Sequence, residues 1–478
     1  MKKYLLVFII ITGTNLFASA PDTLWTRTYG GSDWNWGSSI QQTSDGGFII
    51  AGGTGAGNPD VYLIKTNSSG DTLWTKTFGG INDEGCSVQQ TQDGGFIIAG
   101  YTGTYGAGSY DAYLIRTDSS GNTLWTKTFG GTNQDFGRSI QQTEDGGFIL
   151  VGTTSSFGAG YRNVYLIKTD SSGDTIWTKT FGGTGDCGGY SVQQTKDSGF
   201  IIAGYTGTFG TDSADVYLIK TDSSGDTLWT RTYGGTKEDE SYSVQQTNDN
   251  GFIITGWTNS FGAGGRDIYL IRTNFSGDTL WTKTFGSTGE DYGHSVQQTQ
   301  DNGFIITGDI FSSGTDGGVY LIRTDSSGDT LWTKTFGGTN DAWGESVQQT
   351  EDGGFIVAGA IWSFGAGHND YDVYLIRLGK EVGVEETSNI KTQNAKIEIW
   401  QNPFIKSTII KYQIPVRTRV ILSVYDISGS CVKTLINGEK PAGSYNITLT
   451  SKELKTGVYF VRLTAGTFKE TKKLILMK

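Results

Sequence analysis

Histidine is almost missing from this 478-residue chain, which has only His294 and His368, and cysteine is confined to Cys86, Cys187 and Cys431. The two histidines lack the i,i+4 or clustered spacing of a metal site and read as ordinary loop residues, His294 just ahead of a strand. Three cysteines are an odd number with neither disulfide nor metal spacing, so each reads as unpaired and the fold must be held by packing. The one apolar run, ending at Ile11, is too short to cross a bilayer as a helix, and no other segment approaches about 20 apolar residues. Helical periodicity is also missing. These gaps leave no basis for a disulfide framework, a histidine metal centre, a membrane-spanning helix or an α-helical fold.

What is present is repetition. A Leu/Ile-Trp pair ends in Trp25, Trp74, Trp125, Trp177, Trp229, Trp281 and Trp332, at spacings of 49 to 52 residues. A Ser-Val/Ile-Gln-Gln-Thr element begins at Ser39, Ser87, Ser139, Ser191, Ser243, Ser295 and Ser346, and a Tyr-Leu-Ile element recurs in step from Tyr62 to Tyr374. A period near 50 points to propeller blades or solenoid coils. Each unit holds four short runs rich in β-branched and aromatic residues, typified by SVQQT, GFIIAGYT, DVYLIKT and TLWTKTFG, parted by Asp-Gly and Ser-Gly turn chemistry. The unit is thus a four-stranded antiparallel blade.

The ends of the array choose between ring and solenoid. The first copy supplies only its fourth run, Thr23 to Gly30, and the last copy lacks that run. A ring closed by its N-terminal strand needs this offset, whereas a solenoid needs caps. The expected fold is therefore all-β: a seven-bladed propeller over residues 21–380. Residues 1–20 read as a secretory signal peptide, with Lys2, Lys3, the apolar run and an Ala18-Ser19-Ala20 cleavage site. Residues 381–395 read as a polar linker, and residues 396–478 as a small Ig-like β-sandwich.

Charge and variation bear on function. Residues 21–380 hold 20 basic and 40 acidic side chains. Such a surface repels nucleic acid and anionic membranes, so no nucleic-acid partner is expected. The DGG and DSSGD turns hardly change from copy to copy. The connection after FIIAG and that between TKTFGG and SVQQT do change, and both emerge on one face. Trp34, Trp36, Trp343 and Trp362 fall there, in blades one and seven, which ring closure makes neighbours; they are the predicted ligand-binding residues, with sealing of the joint as the competing role. On the same face Asp83, Asp135, Asp239 and Asp291 read either as loop caps or as weak Ca²⁺ ligands. The carboxylate pairs Asp239/Glu240 and Glu290/Asp291 recur around the ring without converging, so no catalytic residue and no obligatory cofactor is assigned.

Three resemblances add to this. The turn TDSSGDTLW is loosely similar to the Asp-box of sialidase-type propellers, but with an extra residue before the Gly and another before the Trp, which implies a propeller turn and nothing catalytic. The blades resemble WTKTFGG/QQTxDGGFI repeat proteins, a group of no settled activity. The order NPF, STIIKYQIP, VYDISGSCVKTL, PAGSYNITL, LKTGVYFVRLTAG and KKLILMK resembles the type A C-terminal sorting domain of type IX secretion cargo. The motif falls on Asn402, Pro403, Asp426, Gly429, Gly443, Tyr445, Gly457, Tyr459 and Lys473. That resemblance implies the type IX machinery as a partner, a secreted or outer-membrane-associated location, and attachment to surface lipopolysaccharide after sorting. The expectation is then a monomeric binding or adhesion module for a glycan or an extracellular protein. The alternatives are a glycan-active hydrolase or lyase and a purely structural surface protein.

Overall fold

The computed structural model describes residues 19–478 except 211–212, 312–316, 338–339, 366–367, 382–395, 401, 415–417, 441–442, 466–467 and 478. The expected signal peptide (residues 1–18 of it) and nearly all of the linker lie outside the described residues. The chain divides into two compact units, Met1–Val382 and Gly383–Lys478.

The first unit is seven four-stranded antiparallel sheets, each a blade. Six are continuous in sequence, blade one running from its innermost strand Asn35–Gln42 to its outermost Thr72–Phe78. The seventh takes Ala342–Gln349, Phe355–Gly365 and His368–Leu378 from the end of the array and adds Thr23–Tyr29 as its outer strand, with Trp25 opposite Arg377. The closing strand is thus the run predicted from the ends of the array.

The near-invariant residues explain how blades are joined. An innermost strand has one edge facing away from its own sheet, and its N–H groups there have no ladder partner. The Oγ of Ser39 accepts from Val88 N, and the Oε1 of Gln41 accepts from Gln90 N, both in the next blade. The second glutamine reaches back: Gln90 Oε1 accepts from Ser44 N. All three contacts recur at every junction, the first glutamine at 2.5–2.6 Å, the second at 2.8–3.0 Å and the serine at 3.2–3.3 Å. Three closed hydrogen-bonded rings therefore encircle the axis. At the periphery each repeat tryptophan meets the Phe of the next blade edge-on, at 5.9–6.1 Å and 62–69°, including Trp25 on Phe48 across the closure.

The tight turns are held by ion pairs. The cation of YLI(K/R) in each blade is buried and reaches the Asp of that blade's first turn, from Lys65–Asp45 to Arg377–Asp352, at 2.5–3.0 Å. Burial by itself would raise the Asp45 carboxyl, but the Thr43 hydroxyl, Lys65 and Gly47 N together hold it down at about 2. The second glycine of that turn is obligatory, because a Cβ at Gly47 would lie 2.1 Å from Thr66 O.

The second unit is a sandwich of a three-stranded sheet and a four-stranded sheet around Ile410, Val424, Val461 and Leu474. Several sorting-motif residues hold its last strand and its turns. Asn402 donates to Lys473 O at 2.7 Å and accepts from Ile475 N at 2.8 Å, next to Pro403. Asp426 Oδ1 accepts from the N–H groups of Ser428 and Ser430, with Gly429 at φ 82°. Tyr445 stacks on Tyr412 at 5.0 Å, and Tyr459 donates to Lys455 O. Gly443 and Gly457 open strands, opposite Ile414 and Leu476.

Replacing Gln193 by Leu removes the acceptor for Gln246 N and leaves a donor unpaired at the blade four/five junction. The expected loss is about 1–3 kcal/mol, read as a lower urea midpoint. An equal loss is not expected for Asn122→Ala, whose side chain lies in an exposed turn.

Candidate functional site

Every innermost strand carries a β-bulge just before its repeated serine. In blade three Gly137 pairs with Gly152 and Ser139 with Val151, leaving Arg138 as the extra residue. The same shift recurs in all seven blades. A bulge re-aims the side chain it carries, and here the extra residues are Ser38, Cys86, Arg138, Tyr190, Tyr242, His294 and Glu345. All seven line one cavity on the propeller axis, of about 560 Å³, joined on its wall by Trp36, Glu84 and Trp343. A narrower channel of about 260 Å³, lined by the repeated Val/Ile and first glutamine of each blade, lies on the same axis.

The residue two places before the bulge also varies, and its cross-strand partner compensates in size. Trp36 faces Gly53, Trp343 faces Ala360, and Gly188 faces Tyr205. A Cβ on Gly53 would stand 2.2 Å from the Trp36 ring. Glu84 is held by Trp36 Nε1–H at 3.2 Å and by the Tyr101 hydroxyl. Asp309, opposite Tyr292, is the one acid at its position among the seven blades. Its Oδ2 lies 2.8 Å from His294 Nε2, and its Oδ1 accepts from Gly344 N at 3.0 Å.

Electrostatics divide the cavity. Burial alone would lower the His294 pKa, but Glu345, 3.7 Å from Nδ1, and Asp309 outweigh it and bring the imidazole up to about 9. The ring is therefore protonated at neutral pH, and it stacks on Tyr242 at 5.3 Å and 4°. Burial, reinforced by Asp309 and Glu84, raises the Glu345 carboxyl in spite of His294. Arg138 lies against Phe136, Tyr101 and Tyr190 at 5.3–5.9 Å. Burial pushes the neighbouring Cys86 thiol up to about 12, so it is a neutral thiol rather than a nucleophilic thiolate.

The sequence-predicted tryptophans separate into two groups. Trp36 and Trp343 line the axial cavity, whereas Trp34 and Trp362 meet Tyr371 edge-on at 5.6 and 4.7 Å. Trp343 touches both groups, its ring 4.6 Å from Tyr371. Asp83, Asp135, Asp239 and Asp291 are fully buried loop caps in four different blades. Asp135 accepts from Gly131 N and Ser156 Oγ, Asp239 from Gly235 N and Ser260 Oγ, Asp291 from Ser287 N and Phe311 N, and Asp83 from Gly80 N and Thr104 Oγ1. Among the described residues no three Asp, Glu, His or Cys side chains group as metal ligands, and the three cysteines are unpaired. The reading of His294 as a loop residue is corrected: it sits inside the strand Asp291–Gln298 and is aimed at the axis by the bulge. His368, also read as a loop residue, opens the strand His368–Leu378, and its side chain lies outside the described residues.

Sequence reasoning missed the bulge ring, although its signal was present: SVQQT is near-constant, and the residue before it takes six identities in seven copies. The acid pairs counted as non-convergent did not include Glu84 and Glu345, which the fold brings into one cavity.

Comparison with known proteins bears on the second unit first. Residues 398–477 match the secretion system C-terminal sorting domain. The chain carries a type IX secretion sorting signal and is a secreted, cell-surface-attached protein. The regulatory protein FlaEY of Caulobacter vibrioides is 24% identical over 207 residues, 36% of this chain and 22% of that protein's length. Among solved structures, PorZ, a surface component of the type IX secretion system of Porphyromonas gingivalis, aligns over 91% of this chain and 58% of its own at 10% identity and TM-score 0.40. The WD40 domain of Neurospora crassa Pan2 aligns over 74% of this chain and 98% of its own at 10% identity and TM-score 0.45.

A raised folded-state pKa at His294 adds stability that is full below the unfolded value near 6.5 and is lost as pH rises through about 9. The thermal midpoint is expected to fall over that window, with His294 titrating near its upper end by NMR. In Asp309→Asn the titration should move toward 6.5 and the alkaline loss of stability should shrink.

Proposed function

We propose that this protein is a surface-displayed binding module whose ligand enters the axial cavity. The observation that carries this reading is the bulge ring. Seven copies of one strand keep the residues that stitch blades together and vary at the bulge and two places before it, the positions that line the axial cavity. A scaffold needs no such differences, since a repeated Ser or Gly there would close the ring equally well; a shaped site needs them. The cavity volume falls within the range of small-molecule sites, about 300–1,000 Å³, and its wall combines aromatic faces with a few charged groups. The seam aromatics around Tyr371 adjoin this cavity through Trp343 and supply a rim for a longer ligand such as a glycan chain.

A second reading, a glycan-active hydrolase or lyase, draws on Glu345 and Glu84 sharing one wall with one carboxyl raised by burial. It predicts turnover that Glu345→Gln abolishes.

The test is an array of glycans and extracellular proteins probed with the purified secreted protein, with and without Ca²⁺. Binding without turnover is expected. Tyr242→Ala should weaken it about tenfold or more, while Asn248→Ala, in the opposite turn, leaves it intact. Binding unaffected by Tyr242→Ala but lost in Trp34→Ala would move the site to the seam, and well-folded protein that binds nothing would leave a structural role.

A further inference from the structure

The least satisfied group in the cavity is Arg138. A guanidinium offers five N–H donors in a planar fork. Among the described residues, the partner of that fork is Cys86 Sγ, 3.7 Å from Nη1, and Nε is buried with no partner. No described Asp or Glu forms an ion pair with it, although every buried cation of the YLI(K/R) series has one. Three aromatic rings pack around it at 5.3–5.9 Å, and none of them takes the place of a carboxylate on its fork. Glu84 is near enough to act on Arg138 electrostatically but forms no ion pair with it, so the fork can take an external anion.

The far side of the ring has a different character. In a circle of seven, blades six and seven lie farthest from blade three, and they bring His294 and Glu345. Glu345 lies 3.7 Å from His294 Nδ1 and is partly exposed on the cavity wall, where its carboxyl can take a hydroxyl partner. Between the poles run Tyr190 and Tyr242, in edge-to-face contact at 5.0 Å, and Ser38 stands on the remaining wall. The site therefore has a planar-anion receptor at one pole, hydrogen-bonding groups for hydroxyls at the other, and aromatic surface between them.

We propose that the axial cavity binds an acidic sugar of the uronic type, its carboxylate on the Arg138 fork and its hydroxyls toward Glu345 and Ser38. This rests on the axial cavity being the ligand site. Guanidinium matches a planar carboxylate in bidentate fashion, and lysine does not reproduce that geometry. A single such cation fits a monoanion, and Glu84 and Glu345 on the wall disfavour a more highly charged group.

Calorimetric titration of the full secreted protein with methyl β-D-glucuronide and with methyl β-D-glucoside tests this. The glucuronide is expected to bind at least about tenfold more tightly, and Arg138→Gln and Arg138→Lys are each expected to remove about tenfold or more of that affinity. The thermal midpoint of the Lys variant checks that its fold is kept. Equal affinity for the two sugars, no measurable glucuronide binding, or indifference to Arg138→Gln would overturn the proposal. Displacement of the glucuronide by inorganic phosphate at equal concentration would reduce the site to a plain anion receptor and overturn the sugar assignment. The two levels separate cleanly. Array ligands that depend on Tyr242 but not on Arg138 would leave the axial site standing and sink the acidic sugar, and dependence on neither would sink both.

Discussion

The free edge of an innermost strand is the constraint from which this propeller is built. Val88 N and Gln90 N have no strand beside them within their own sheet, and water in a crowded axial channel is a poor substitute for a partner. Ser39 and Gln41 of the preceding blade satisfy them, and Gln90 answers with its own side chain. Each hydrogen bond contributes about 0.5–1.5 kcal/mol net, yet breaking a serine or first-glutamine contact leaves a part-buried donor without a partner. Because the array is closed by Thr23–Tyr29, the rings have no ends, and blade seven is stitched to blade one as any other pair is. A single blade buries too little apolar surface to offset its backbone entropy, so junctions and closure carry the fold together.

The same arrangement explains why a symmetric scaffold holds an asymmetric site. Stitching fixes the serine and both glutamines, and the bulge inserts one residue that stitching does not use. That residue lines the axial cavity in every blade, so seven side chains of six kinds meet in one place. Cross-strand partners then adjust around each choice: Gly53 makes room for Trp36, and Asp309 takes up His294. The charged poles of the cavity are thus held by residues one layer back, while the rings beneath stay uniform.

Blade number, strand order and the closing strand were legible because each follows from local period and turn chemistry repeated seven times. The sorting domain was legible because its motif residues perform local tasks, such as Asn402 clamping the last strand. The bulge was not legible, since an extra residue in a strand changes which way a side chain points without changing composition or period. His294 accordingly passed for a loop residue, and nothing in the repeat marked Glu84 and Glu345 as neighbours in one cavity. The tryptophan excess at blades one and seven was legible, but proximity in the ring could not separate Trp36 and Trp343 on the axis from Trp34 and Trp362 at Tyr371.

The most direct test of the axial site is a crystal structure of the secreted protein soaked with a surface glycan that it binds in solution. The account predicts ligand density inside the ring of bulge residues, within hydrogen-bond distance of Arg138 or Glu345 and against Tyr242. Density seated at Tyr371 and Trp34 outside that ring, with the axial cavity filled only by water, would contradict it.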